Sequence, residues 1–345
     1  MDSKIPTEEE IIKAWEGDIS KPLVSIECIT YNHELYIKDA INGFLIQKTN
    51  FPFEIIIYDD ASTDNTQKII NDYKRKYPKI IKTILQKENQ YQKGKDFRHF
   101  ILDKLKGKYV AICEGDDYWT DPNKLMKQVN FLENNPQYIA TAHNVRTIDE
   151  NFKLIDEKIN PYKKLPNHVF TFKDGEKIKL VGQTASLVYR NIWKNLSNEL
   201  ISDYLNIKSN GDVKFSVLLS YFGDIYFFSD TMADHRKIIS FGDSWSARTH
   251  GKNLSLYNYN SVLEINKFFK DNFNKSLNNK KERLEIIFHA YVLFIKQPNK
   301  ENFEIIKKIM KIKKENSIEI IIFSISKIFR YPIKKIMYFI KGLRK

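Results

Sequence analysis

Cysteine is scarce in this chain: two residues, Cys28 and Cys113, among 345. Each falls in a short apolar run, and neither has a CxxC or Cys/His spacing around it. This argues against a zinc site or a disulfide framework and for two buried thiols in a reducing compartment. No apolar stretch reaches the length needed to cross a bilayer. The opening MDSKIPTEEEIIKAWEGD has no hydrophobic core of a secretion signal. A cytoplasmic location is expected, either free or peripheral on the inner face of the membrane. No nucleic-acid-binding motif accompanies the formal charge of +13, so nucleic acid is not an expected partner. Internal repeats are also missing. The 42% hydrophobic content over this length suffices for one large domain and an appendage.

Three segments share one pattern, an apolar strand ending in polar residues. The first, Leu23 to Asn32, alternates β-prone residues and ends in Thr-Tyr-Asn. Apolar residues at helical spacing follow from Tyr36 to Gln47. The second, Phe53 to Thr66, is a continuous apolar strand running into Asp59-Asp60-Ala61-Ser62-Thr63-Asp64. A helix from about Thr66 to Lys76 follows, with Ser62 or Asp64 as its expected N-cap. The third, GKYVAICEGDDYWTDP from Gly107 to Pro122, sets Glu114, Asp116 and Asp117 directly after a strand. Three carboxylates so close together repel one another and call for a positive partner. Hard oxygen ligands suit Mg²⁺ or Mn²⁺, ions that commonly bridge to phosphates; the plain alternative is an acidic turn. Strands alternating with helices indicate an open α/β sheet, in which ligands collect beyond the carboxyl ends of the strands. All three polar clusters lie there.

These motifs, in this order and spacing, resemble family 2 glycosyltransferases of the GT-A fold over roughly residues 20 to 250. The resemblance implies an α/β, Rossmann-like mixed sheet flanked by helices, here with a helical C-terminal extension. It also implies sugar transfer from a nucleotide donor with inversion, using Mn²⁺ or Mg²⁺. By that resemblance Thr30, Tyr31 and Asn32 hold the nucleotide base, with the Tyr31 ring available for stacking. Asp60 accepts the base N3–H, which favours UDP and leaves TDP open. Asp59 organises the turn, and Asp64 and Thr66 serve as capping residues. Glu114 stands where the family has its first Asp-x-Asp acid and addresses the ribose. Asp116 binds the metal, and Asp117 is a second ligand or an acceptor behind it. Asp212, in Asn-Gly-Asp-Val-Lys-Phe ahead of an apolar helix, is the expected catalytic base, a helix cap being the alternative. Asp203 and Asp224 are weaker candidates. The run Gly182 to Arg190 resembles the acceptor-side strand, in which Gln183 and Thr184 would contact sugar. His143, just after an expected strand, would line the same pocket; Trp119 and the Asp121-Pro122 turn would shape its lip, with Asp121 the expected N-cap of the helix from Lys124 to Glu133. Arg236 would meet the diphosphate, with His235 as an additional metal ligand. Trp245, in the Gly-bearing segment Phe241 to Ser246, is a candidate sugar platform.

The expected organisation is a lead-in helix over 1–20 and a catalytic domain over 21–250, followed by a basic helical region over 251–345. The domain divides into a nucleotide half (21–140) and an acceptor half (141–250). Residues 317–345 mix Phe, Tyr, Ile and Met with Lys and Arg. Such a segment can lie on an anionic membrane surface or pack as a helical bundle. A glycan or lipid-linked acceptor would suit the first arrangement. Two other functions are weighed. A sugar nucleotidyltransferase would carry a Gly-rich, Arg/Lys-bearing loop after the first strand, and Thr30 to Glu34 has none. A catalytically inactive scaffold would not need Asp60, Asp116 and Asp212 together.

Overall fold

The computed structural model describes residues 5–155, 164–237, 252–312 and Ile320. The expected Trp245 platform, the segment Phe241 to Ser246 and the tail 317–345, apart from Ile320, lie outside the described residues. The chain divides into two compact units. The first comprises 1–175, 179–206 and 215–248; the second comprises 176–178, 207–214 and 249–345.

The first unit is built on one mixed sheet. Its strands are β1 (Val24–Thr30), β2 (Phe53–Asp59), β3 (Ile81–Leu85), β4 (Tyr109–Ile112), β5 (Tyr118–Trp119), β6 (Tyr138–Ile148), β7 (His168–Phe170), β8 (Val188–Arg190) and β9 (Asp224–Arg236). The spatial order is β3-β2-β1-β4-β8-β6-β9-β5, with β7 paired to β9. The block β3-β2-β1-β4 is parallel. The β1–β2 and β2–β3 pairs are joined by crossovers through α1 (Ile37–Leu45) and α2 (Thr66–Lys76). β8 runs antiparallel to β4 and β6, while β6 and β9 are parallel.

Strand periodicity explains the two faces. Val24, Ile26 and Cys28 point into a core with Ile55 and Ile57 of β2, Ala111 of β4 and the helical Ile37, Ile41 and Phe44. Both thiols are buried and free, and burial pushes both pKa values up. Ser25 and Glu27 fall on the alternate positions. Glu27 is fully buried, 3.8 Å from the equally enclosed Arg98 guanidinium, whose carbon also lies 4.6 Å and 5.2 Å from the Phe97 and Phe215 ring centres.

The chain leaves β1 with β2 on one side and β4 on the other, so the strand order reverses between β1 and β4. Beyond such a reversal point a crevice opens at the carboxyl ends of the strands. Thr30, Asp60 and the acidic loop 114–117 all lie at this end.

Several local expectations change. The run Gly182 to Arg190 is not one strand: Thr184–Ser186 form a 3-10 turn, and only Val188–Arg190 are extended. Asn65, not Ser62 or Asp64, occupies the N-cap of α2, and Asn123 rather than Asp121 precedes the helix Lys124–Asn134. Neither makes a side-chain cap bond. His143 sits in the middle of β6 rather than just beyond a strand.

In the second unit the helices Ser255–Phe273, Lys280–Lys296 and Lys300–Ile312 pack through Tyr259, Leu284, Ile287, Ala290, Ile306 and Ile309. Asn274 ends the first of them in a left-handed conformation (φ 50°), a role Asn fills second only to Gly. Among the described residues no helix is long and apolar enough to cross a membrane.

The Glu27–Arg98 pair yields a stability prediction. Arg98→Ala strands a buried carboxylate and should cost about 3–5 kcal/mol in chemical denaturation. The double change Glu27→Gln with Arg98→Met should recover most of that loss.

Candidate nucleotide and metal site

Two strand-end turns are sewn together first. Asn32 takes a left-handed backbone (φ 54°), which Asn tolerates better than most residues. Its Oδ1 accepts the Thr63 N–H at 2.8 Å, and its own N–H donates to Ser62 Oγ at 2.8 Å. The His33 N–H donates to Thr66 Oγ1 at 2.8 Å and the Glu34 N–H to Asp64 Oδ2 at 3.0 Å. Asp64 Oδ1 also accepts from the Thr66 N–H at 2.9 Å. Asp64 and Thr66 therefore bind one turn to the other. Asp59, fully buried, accepts from the Ser62 N–H, the Ser62 hydroxyl and Gln67 Nε2.

Asp60 sits at the same rim, its N–H bonded to the Thr30 carbonyl at 3.0 Å. Its Oδ1 accepts from the Tyr58 hydroxyl at 2.9 Å and the Gln90 N–H at 2.8 Å; its Oδ2 accepts from the Tyr91 N–H at 3.0 Å. A carboxylate offers about four acceptor positions, so one on Oδ2 remains. Tyr31 is half-buried at the end of β1.

The acidic loop crosses the end of β1 at very close range. The Gly115 N–H donates to the Ile29 carbonyl at 2.8 Å. A Cβ on Gly115 would stand 2.7 Å from Thr30 Oγ1, so glycine is required by space here. Thr30 is thus a buried surface against which the loop packs. Glu114, Asp116 and Asp117 each offer an oxygen within 4.8 Å of the others. All-oxygen donors at this spacing fit a hard divalent cation.

Asp117 is 1% exposed and heavily bonded. It accepts from the Arg236 N–H at 2.7 Å and from Gln183 Nε2 at 2.5 Å, and His235 Nδ1 lies 3.2 Å away. Burial works against a charged His235, but the Asp117 and Asp116 carboxylates outweigh it and raise the imidazole pKa. Burial pushes the Asp116 carboxyl up, and Asp117 adds to this against the opposing pull of His33 and His235. His33 Nε2 stands 3.9 Å from Asp116 Oδ2.

Arg236 does not present its guanidinium to an open pocket. Nη1 donates to the Asp116 carbonyl at 2.7 Å, and Nη2 reaches Asp39 Oδ2 at 3.2 Å. The guanidinium carbon lies 4.3 Å from the Tyr36 ring centre and 4.7 Å from that of Phe152. Its contacts make it a buttress of the acidic loop.

Three further expectations are revised. Gln183 is committed to Asp117 and to the Ala185 N–H instead of facing a sugar. His143 is buried, with Nδ1 2.8 Å from the Asn144 carbonyl, and burial with the nearby Lys124 drives its pKa well below the usual value. Trp119 is a core residue, its Nε1 bonded to the Ala185 carbonyl at 2.9 Å and its ring facing the Lys124 ammonium at 4.2 Å. Burial brings the Lys124 pKa down to about 7. Thr184 is half-buried in its 3-10 turn. Asp212 stands in the first turn of the helix Gly211–Phe222, with Oδ1 2.8 Å from the Val213 N–H, and belongs to the second unit. His33, Tyr36, Asp39 and Phe152 also pack at this end of the sheet, around Asp116 and Arg236. Only His33, one residue past the strand-end Thr-Tyr-Asn, carried a signal that could have been read.

The Asp117–His235 contact predicts a titration. In Asp117→Asn without added metal the imidazole should titrate at lower pH than in wild type, as followed by histidine NMR. An unchanged midpoint would mean that Asp117 does not set its charge.

Residues 25–196 match the family model for glycosyl transferase family 2. An uncharacterised protein of Mycobacterium tuberculosis is 47% identical over 129 residues, covering 37% of this chain and 36% of that protein. The UDP-Glc:α-D-GlcNAc-diphosphoundecaprenol β-1,3-glucosyltransferase WfaP of Escherichia coli is 37% identical over 122 residues, covering 35% of this chain and 45% of the enzyme. The matched segments thus span roughly a third to a half of these relatives' lengths. Among solved structures, S. aureus TarS 1–349 in complex with UDP-GlcNAc superposes with a TM-score of 0.58 at 18% identity, over 83% of this chain and 79% of that one. Mixed sheet, strand-end turn and acidic loop agree with the matched family: the chain belongs to glycosyl transferase family 2.

Proposed function

We propose that this protein transfers a sugar from a nucleotide-sugar to a hydroxyl of a glycan or lipid-linked acceptor, with inversion, in the synthesis of a cell-surface polysaccharide. The observation that carries this reading is the convergence of Glu114, Asp116 and Asp117 within 4.8 Å, beside the turn that joins Asn32 to Asp60's strand end. The UDP-glucose donor in the name of the Escherichia coli relative supports UDP as the nucleotide, with TDP as the alternative.

In this proposal the remaining acceptor position of Asp60 takes the pyrimidine N3–H, while Tyr31 stacks on the base and Asn32 keeps the turn in place. Glu114 addresses the ribose hydroxyls. Asp116 would hold Mn²⁺ or Mg²⁺, with His235 as an additional ligand and Asp117 either a second ligand or the acceptor behind them that orients the imidazole at Nδ1. When bound, such an ion stabilises negative charge on the departing diphosphate. Arg236 fixes the Asp116 peptide, and Gln183 fixes Asp117. Asp212 accepts the proton of the acceptor hydroxyl as the new glycosidic bond forms and the bond to diphosphate breaks. Thr184 and Trp245 remain candidates for sugar contact.

With Mn²⁺ and a panel of UDP- and TDP-sugars, slow donor hydrolysis is expected for one donor; no binding and no hydrolysis across the panel would favour a scaffold. Asp116→Ala should reduce turnover by about a hundredfold or more, the equivalent of several kcal/mol of lost charge stabilisation. Asp212→Asn should keep donor binding and lose about 10²–10⁴ in transfer rate. Retained transfer would leave Asp212 as a helix cap.

The basic segment 317–345 extends the proposal to peripheral docking on anionic lipid. Its removal should release the protein from phosphatidylglycerol vesicles in a sedimentation assay. Unchanged sedimentation would assign the segment to packing.

A further inference from the structure

One large apolar side chain beside the acidic site has no place in the core. Phe152 is 55% exposed, yet its ring centre is 4.7 Å from the Arg236 guanidinium carbon. Its backbone is left-handed (φ 64°), a conformation unfavourable for a bulky residue. The chain holds it there firmly. Asp149 Oδ1 accepts the N–H groups of Asn151 at 2.8 Å and Lys153 at 2.9 Å, and the Phe152 N–H donates to the Asp149 carbonyl at 3.2 Å. Below the turn, the Asp149 N–H bonds the Lys153 carbonyl at 2.9 Å, Ile148 bridges Leu154, and the Ile155 N–H bonds the Thr147 carbonyl at 2.9 Å. The result is a short hairpin that sets one aromatic ring over Arg236. Because Arg236 donates to the Asp116 carbonyl at 2.7 Å, a single guanidinium separates that ring from the acidic loop.

Core packing does not account for an exposed ring on a strained, well-tied turn. Covering Arg236 would need only an aliphatic side chain, and Tyr36 already stacks on it at 4.3 Å. A ring adds a flat face with negative quadrupole, which attracts the weakly positive C–H groups on one side of a pyranose. The donor sugar must stay within a bond of the diphosphate at the carboxylates. The ring lies outward of these, across the guanidinium, where a second sugar arriving from solvent would stand.

We infer that Phe152 is a stacking platform for the pyranose ring of the acceptor. The inference rests on the sugar-transfer reading above and deepens it by naming where the acceptor lies.

Saturation-transfer NMR with methyl β-D-glucopyranoside and methyl N-acetyl-β-D-glucosaminide as probes, with and without UDP and Mn²⁺, tests this. Wild type should saturate the ring C–H protons of at least one glycoside. Phe152→Asn, whose side chain tolerates φ 64°, should keep the melting temperature and weaken the glycoside by about three- to tenfold, the usual worth of an aromatic contact. Phe152→Leu keeps an apolar cover on Arg236 and should weaken it equally, whereas Phe152→Trp should restore it. Equal glycoside signals in wild type and Phe152→Asn, no signal in wild type, or full binding by Phe152→Leu would overturn the platform. Calorimetric UDP binding, measured on the same samples, reports separately on the nucleotide site: its loss in wild type counts against the transferase reading, and its persistence in Phe152→Asn shows that the change is local.

Discussion

Everything at the ligand end of the sheet depends on keeping three carboxylates together in a low-dielectric crevice. Their mutual repulsion is contained mainly through Asp117, which turns inward to a backbone N–H, an amide and an imidazole. That inward turn leaves Asp116 and Glu114 as the outward acids. A second support acts on the backbone. Arg236 spans from Asp39 on α1 to the Asp116 carbonyl, between two aromatic rings. The loop is therefore held from β9, from the 3-10 turn at Thr184 and from α1, three segments far apart in sequence.

Asp60 ties a turn to its strand end and keeps one acceptor position open. Three of its acceptor positions hold Tyr58 and the peptides of Gln90 and Tyr91, so the loop around residue 90 is tied to the rim where a base would sit. Asp59, one residue earlier, points the other way and is used up inside its own turn. The strand's period of two separates the paired acids into an inner organiser and a rim group.

Much of the fold could be read from the sequence because β1 alternates β-prone residues, β2 and β4 are largely apolar runs, and α1 and α2 carry clean helical spacing. The acidic loop was equally readable, since its three charges fall within four residues. What escaped were contacts made across long sequence distances. Gln183 looked like a strand residue facing sugar, but a 3-10 turn aims its amide at Asp117, 66 residues earlier. Arg236 carried the charge expected of a phosphate ligand, yet Tyr36 and Phe152 enclose it, and nothing near either residue in the sequence announces that. His143 lies inside β6 rather than beyond a strand, because the eleven-residue β6 is extended by pairing with β8 and β9 more than by its local pattern.

The Lys124 amine has a use of a different kind. It is sealed inside the domain against the Trp119 indole and Gln128, where burial brings its pKa down to about 7. Acylating reagents that mark surface lysines cannot reach it while the sheet and the helix Lys124–Asn134 stay closed. Its labelling therefore keeps time with the brief openings of that seam, and a ligand that tightens the neighbouring strand end would slow the clock.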